Sequence, residues 1–120
     1  MNQGYIYIRT NEYWNIYNAC KLGKTTNIPD REHTYVTSEI KRGEYIMVIE
    51  LNLLILDNIE IQLQQHFNEL NLQIKYDGGI EFYNKDIISL IIPYLDTLNI
   101  KYRILSPNDI NLLIGLPYFE

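Results

Sequence analysis

Hydrophobic and polar residues alternate at the start of the chain, and helical spacing appears further along. Residues 4–9 form an alternating β-branched and aromatic run that predicts a first strand. Residues 10–18 are polar and rich in Asn, which predicts a hairpin loop, and residues 19–24 predict the return strand. A third strand is predicted over residues 44–54.

A first helix is predicted between the second and third strands. Asn27 can cap it, because Asn side chains accept a hydrogen bond from the first helical turn, and Pro29 suits that turn. The helix is predicted to continue to Lys41 or Arg42 and to stop at Gly43.

Two further helices follow the third strand. Asp57 can cap a helix over residues 58–70, which carries an apolar stripe at helical spacing. Asn84 can cap another over residues 85–98, with a kink at Pro93.

The remaining elements are short. Residues 77–79 predict a turn, residues 102–105 a short strand and residues 106–115 a last helical turn. Because the first two strands form a hairpin, the predicted fold class is a small single α/β (α+β) domain with a mostly antiparallel three-stranded sheet flanked by helices. Residues 1–98 form the main domain in this interpretation, and residues 99–120 form a C-terminal extension packed on it.

Composition excludes several classes of protein. The chain of 120 residues has one cysteine, so an internal disulfide or a Cys-based zinc site is excluded. No apolar run reaches the roughly 20 residues of a membrane span, and no secretory signal is visible, so we expect an intracellular protein of cytoplasm or nucleus, without a membrane partner. The net charge of −5 disfavours nucleic-acid binding, but residues 21–42 carry a local positive excess.

Common catalytic motifs are not supported. Gly23-Lys24-Thr25 is not a phosphate loop, because Asn18 stands where such a loop needs its first glycine. Cys20 lies in a predicted strand and is interpreted as a buried, inert thiol. His66 lies on an apolar helical stripe, which favours a packed histidine over a ligand.

Five short motifs nevertheless occur in a recognisable order between residues 4 and 83. They are Gly4-Tyr5-Ile6-Tyr7-Ile8, Lys21-Leu22-Gly23-Lys24-Thr25, Arg31, Ile59-Glu60-Ile61-Gln62-Leu63 with Phe67, and Glu81-Phe82-Tyr83. The set resembles the GIY-YIG nuclease superfamily, in the divergent branch found in phages and large DNA viruses. The resemblance implies a GIY-YIG-like fold and a Mg²⁺-dependent (or Mn²⁺-dependent) endonuclease that hydrolyses DNA phosphodiester bonds.

The resemblance also implies a role for each matched residue. Tyr7 would orient or deprotonate the attacking water, and Arg31 would clamp the phosphate oxygens. Lys21 stands where many relatives have the second motif tyrosine, and an ammonium there can hold a phosphate. Tyr35 occupies a position where relatives have His or Tyr. Glu60 would be the single carboxylate that binds the metal, and we expect Tyr7, Lys21, Arg31 and Glu60 to converge on one concave surface.

Other positions are assigned to DNA and to a second copy of the chain. Lys24, Lys41 and Arg42 extend the basic strip and are predicted DNA contacts, although the last two also complement the dipole of the predicted helix. His33 is expected to point away from the face of Arg31. The apolar C-terminal segment is a candidate packing or homodimer element.

Two other functions are consistent with the same residues. The first is a catalytically inactive module of the same fold that binds nucleic acid or a protein partner, which the net charge and Lys21 favour. The second is a structural accessory protein, in which the tyrosines pack, Arg31 is solvated and Glu60 complements a helix N-terminus.

Overall fold

The computed structural model describes residues 2–76 and 79–115, which form one six-stranded sheet and five helices. The strands are β1 (Gln3–Thr10), β2 (Ala19–Thr25), β3 (Glu44–Asn52), β4 (Gln73–Tyr76), β5 (Gly79–Asn84) and β6 (Tyr102–Ile104). The helices are α1 (Glu12–Ile16), α2 (Ile28–Val36), α3 (Leu53–Glu69), α4 (Ile87–Thr97) and α5 (Pro107–Ile114). The strand order is β4-β5-β2-β1-β3-β6, and every described pairing is antiparallel.

The prediction of a small antiparallel α+β domain is confirmed, but the three-stranded sheet is wrong. The β4–β5 hairpin extends the sheet beyond β2, and β6 extends it beyond β3. β6 confirms the short strand predicted over residues 102–105, whereas β4 and β5, of four and six residues, were not predicted. Of the predicted turn at residues 77–79, residues 77 and 78 lie outside the described residues, and Gly79 begins β5.

Alternate residues of β1 divide between two hydrophobic cores. Ile6 and Ile8 belong to the larger core, which α3 and α4 cover. Tyr7 belongs to a smaller core, which α2 and α5 cover on the opposite face of the sheet. This division follows from the two-residue repeat of a strand, which sends successive side chains to opposite faces. We call the side of the sheet that carries Tyr7 the tyrosine face.

Helix α2 ends at Val36, well before the predicted end near residues 41–42. The Thr37 and Ser38 hydroxyls donate to backbone carbonyls of the last helical turn, at 2.7 Å and 3.1 Å. Such bonds offer the backbone an alternative to further helix. Glu39 then turns inward to a buried ion pair, so the segment after α2 follows tertiary contacts and not helical propensity.

Helix α3 begins at Leu53, five residues before the predicted start of residue 58, so Asp57 is not its cap. The cap is Asn52, whose side-chain oxygen accepts a hydrogen bond of 2.8 Å from the Leu54 backbone N–H. Asp57 therefore lies within the helix.

The prediction that Asn84 caps the helix over residues 85–98 is wrong, because α4 begins at Ile87 and its N-cap residue is Asp86. The Asn84 side chain instead accepts a hydrogen bond of 2.8 Å from the Asp86 backbone N–H, before the helix, and Pro93 lies inside α4. Ser106 and Asp109 form a reciprocal capping box at the start of α5. Helix α5 packs its buried residues into the smaller core, so β6 and α5 are parts of the same sheet and layers as the rest of the chain.

The predicted loop over residues 10–18 contains a short helix. Asn11 begins α1 by accepting a hydrogen bond of 3.0 Å from the Trp14 backbone N–H. None of the helices in the described part of the chain is both long and apolar enough to cross a membrane.

Candidate functional site

A row of large side chains crosses four strands on the tyrosine face. Antiparallel pairing aligns Tyr45 with Arg9, Arg9 with Lys21, and Lys21 with Phe82. Directly paired residues of antiparallel strands project to the same face, so all four share the side of Tyr7. A β-bulge between Ile8 and Arg9 shifts the register, so that Arg9 pairs with Tyr45 instead of Ile46.

Two tyrosine hydroxyls meet at the centre of this face. The Tyr7 hydroxyl lies 2.8 Å from that of Tyr35, which projects from α2. Tyr7 pairs across the sheet with Gly23, and a Cβ at Gly23 would lie 2.5 Å from the Tyr7 hydroxyl oxygen. A side chain at position 23 would therefore have to displace the Tyr7 ring, and glycine avoids this clash.

Positive charge surrounds the two hydroxyls. The Lys21 ammonium lies 5.3 Å from the centroid of the Tyr35 ring, and the Arg31 guanidinium is close enough to both phenols to favour their ionised forms. Burial has the larger effect and raises the pKa of Tyr7 well above its usual value, while it raises the pKa of Tyr35 to about 12. Both phenols are therefore neutral at pH 7.

Tyr7, Lys21, Arg31 and Tyr35 are thus brought together as one group. Tyr7 is 2% exposed, whereas the other three are partly exposed. This arrangement can offer hydroxyl, ammonium and guanidinium donors to a single anion at the surface of α2 and β2.

Arg9 is a component of the site that the sequence analysis did not assign. Its side chain is fully buried, it donates two hydrogen bonds to Glu39 at 2.6 Å and 2.7 Å, and it donates two to one oxygen of Glu32 at 3.0 Å and 3.2 Å. Arg42 donates to the other oxygen of Glu32. The guanidinium carbon of Arg9 also lies 4.2 Å from the centroid of the Tyr35 ring. We call Arg9, Glu32, Glu39 and Arg42 the buried ion-pair network.

The sequence carried one signal for this network. Arg9 follows Tyr5 and Tyr7 at two-residue spacing, so it occupies the same face of a strand whose other residues are apolar. A charged residue at such a position is buried only with partners, but the partners lie 23 and 30 residues away and no local pattern identifies them.

Glu60 lies in a different group of charges. The Lys24 ammonium donates to Asp57 at 2.6 Å and lies 3.6 Å from Glu60. Lys24 pairs with Ile6, so it projects towards α3 and away from the tyrosine face. The contact with Lys24 therefore places the Glu60 carboxylate on the α3 side of β2.

The predicted DNA contacts are engaged with carboxylates. Lys24 binds Asp57, and Arg42 binds Glu32 within the buried ion-pair network. Lys41 is exposed and lies 3.9 Å from Glu12, beyond the end of α2 and not in its last turn. These contacts limit what the three residues can offer to a phosphate backbone.

The two histidines and the cysteine lie outside the group around Tyr7. His33 is exposed on α2, and His66 stacks on Tyr94 with ring centroids 4.1 Å apart. Cys20 is buried, and burial raises the pKa of its thiol to about 12. Within residues 2–76 and 79–115, no group of three or more His, Cys, Asp or Glu side chains is arranged to hold a metal ion.

No protein-family model, curated protein or solved structure matches the chain. The assignment of a function consequently depends on the motifs and on the geometry of the site.

Proposed function

We propose that the protein is a Mg²⁺- or Mn²⁺-dependent DNA endonuclease whose phosphate site consists of Tyr7, Lys21, Arg31 and Tyr35. The observation that carries the proposal is the hydroxyl pair of Tyr7 and Tyr35 with two cationic side chains beside it. Phosphodiester hydrolysis requires donors that stabilise the extra negative charge of the transition state, and this group supplies them on a partly exposed surface.

Neutral tyrosines favour positioning over base catalysis. A buried phenol with a raised pKa is a poor proton acceptor at pH 7, so Tyr7 would orient the attacking water or donate to a phosphate oxygen. Tyr35 holds the Tyr7 hydroxyl in place through their hydrogen bond. Lys21 and Arg31 would bind the phosphate oxygens, with the planar guanidinium offering two parallel donors.

The residues around Glu60 fit a hard divalent cation. The Asp57 and Glu60 carboxylates converge on one ammonium group, which shows that both can approach a single positive charge. Mg²⁺ uses one or two carboxylates and keeps several waters, so Glu60 with Asp57 would suffice. When bound, the ion would neutralise charge on the phosphate and on the leaving oxygen.

The two charge groups are adjacent along β2. The Tyr7 ring lies against Gly23, and Lys24 is the next residue. The described pairing of β2 with β5 covers Ala19–Lys21, so Gly23 and Lys24 extend past that pairing towards the end of the strand. A phosphate bound at this end of β2 would lie between the tyrosine face and the carboxylates of α3.

Plasmid nicking in Mg²⁺ or Mn²⁺ tests the proposal. Arg31→Met and Glu60→Gln should each reduce cleavage at saturating protein by about 100-fold or more, the usual effect of removing one transition-state contact. Glu69→Gln is the matched control, because Glu69 is an exposed carboxylate on the same helix as Glu60. If Arg31→Met and Glu60→Gln both nick the plasmid as fast as Glu69→Gln, the proposal is refuted.

One observation favours the alternative of an inactive binding module. Lys24 already occupies the position between Asp57 and Glu60 where a metal ion would bind. In that case the protein would bind DNA with no metal-dependent nicking. Metal-dependent nicking therefore separates the two functions, and Lys24→Met tests the competition itself, because the affinity for Mn²⁺ in calorimetry should rise when the ammonium next to Asp57 and Glu60 is removed.

A further inference from the structure

Trp14 forms the border of the candidate site on the side of α1 and β5. Its ring centroid lies 6.3 Å from that of Tyr35 and 5.1 Å from that of Phe82, and both neighbours are nearly perpendicular to it. The three rings are all partly exposed. Tyr35 and Phe82 hold the Trp14 indole in one orientation, and the Tyr35 ring also lies next to the Lys21 ammonium.

Two further tyrosines are exposed near Trp14 in sequence. Tyr13 lies on α1 and is 49% exposed, and Tyr17 lies directly after the end of α1 and is 62% exposed. Ile16 is 76% exposed on the same short helix. The surface beside Trp14 therefore includes further exposed aromatic and apolar side chains.

The charges of the chain make a long duplex contact weak. Five cations are engaged with carboxylates, namely Arg9, Lys24, Lys41, Arg42 and Arg103. Affinity for duplex DNA comes mainly from phosphate contacts, whereas single strands also gain from bases that stack on aromatic rings. An acidic protein whose site is bordered by aromatic rings therefore suits single-stranded DNA better than duplex DNA.

We propose that Trp14 is the stacking platform for an unpaired base next to the phosphate held by Lys21 and Arg31, so that the preferred substrate is single-stranded DNA. This inference deepens the proposed function and rests on it, because it takes the Tyr7–Tyr35 group to be the phosphate site. Tyr35 and Phe82 support the indole, and the exposed Tyr13 and Tyr17 would offer rings to neighbouring bases.

Intrinsic fluorescence provides a direct measurement, because Trp14 is the single tryptophan of the chain. The probe is a 12-nucleotide oligothymidylate, titrated in EDTA so that binding is measured without cleavage. A 12-base-pair duplex and an abasic 12-mer with the same phosphates serve as comparison ligands. The oligothymidylate should quench the indole and bind at least ten times more tightly than either comparison ligand.

Substitutions separate stacking from folding. Trp14→Leu, followed by the anisotropy of a labelled oligothymidylate, should weaken binding by about 5- to 150-fold, the range measured for loss of one stacked base. Trp14→Phe retains a ring and should retain most of the affinity. Tyr94→Leu, on the opposite side of the sheet, should bind like the parent protein.

Several results would overturn the inference. They are equal binding of the abasic and thymidylate probes, tighter binding of the duplex, or unchanged affinity in a folded Trp14→Leu variant. Binding of single strands with no nicking in Mg²⁺ would refute the endonuclease proposal and leave the stacking platform intact. Nicking without a preference for single strands would refute the stacking platform and leave the endonuclease proposal intact.

Discussion

Replacement of Arg9 by Met tests whether the buried ion-pair network supports the tyrosine face. The Arg9 side chain is fully buried, and those of Glu32 and Glu39 are 1% and 7% exposed. Met keeps part of the apolar stem but removes the charge and every hydrogen-bond donor of the guanidinium. The variant leaves Glu32 with Arg42, and it leaves Glu39 with hydrogen bonds from Asn11 and from the Gly43 backbone.

The expected loss of stability is large. Removal of one partner from a buried ion pair costs about 3–5 kcal/mol, because the remaining charge loses its compensation. A small domain is stable by about 5–15 kcal/mol, so Arg9→Met should lower the unfolding temperature by about 10–25 °C at pH 7.

The pH dependence has a definite sign. In the parent protein, burial alone would raise the pKa of Glu39, but hydrogen bonds from Arg9, Asn11 and the Gly43 backbone outweigh it and lower the pKa below its ordinary value of 4.5. Glu39 thus contributes stability above that value, which is lost as pH falls through the folded pKa. Without Arg9, fewer hydrogen bonds oppose the effect of burial, so the pKa of Glu39 rises. The loss of stability of Arg9→Met relative to the parent protein should therefore be largest at pH 7 and smaller near pH 5.

Urea unfolding followed by circular dichroism at pH 7 and pH 5 measures both effects. Arg103→Met is the matched control, because Arg103 also lies within 3.3 Å and 3.4 Å of two carboxylates but its side chain is 58% exposed. The control should stay close to the parent protein, since exposed pairs contribute little. Equal deficits in the two variants, or a deficit of Arg9→Met that grows as pH falls, would refute the reasoning.

Three further predictions follow from the same face of the sheet. Gly23→Ala should destabilise the protein by about 1–3 kcal/mol in urea unfolding, because its Cβ would meet the Tyr7 ring, and a neutral effect would show that the ring can move. Tyr35→Phe should cost about 1 kcal/mol in the same assay by removing the hydroxyl bond to Tyr7, and a more stable variant would contradict that bond. Cys20 should react with a thiol reagent only after denaturation, so rapid labelling of the folded protein at pH 8 would contradict its burial.

Local patterns in the sequence predicted the centre of the sheet. The alternation of residues 4–9 identified β1, and the pairing of Tyr7 with Gly23 follows from the hairpin between β1 and β2. Asn27 was correctly identified as the cap of α2, since its side chain accepts a hydrogen bond of 3.1 Å from the Asp30 backbone N–H. Each of these features depends on residues close together in sequence.

Features that depend on distant partners were not predicted. The early end of α2 reflects the contact between Glu39 and Arg9, which are 30 residues apart. The approach of Trp14 to Phe82 requires the pairing of β2 with β5, and that pairing has no local sequence signal. For the same reason the spacing of Glu60 indicated a helix position but not the side of the sheet on which its carboxylate lies.

The balance of charges in the buried network indicates what it contributes to the site. The network of two arginines and two glutamates has a net charge of zero, although Arg9 by itself favours the ionised form of Tyr35 and so lowers its pKa. Its main contribution is geometric, because Arg9 binds two carboxylates and its guanidinium carbon lies 4.2 Å from the centroid of the Tyr35 ring. A network with a net positive charge would contain fewer glutamates than arginines. Lys21 and Arg31 therefore supply the electrostatic attraction for a phosphate, while Arg9 acts as a positioning residue.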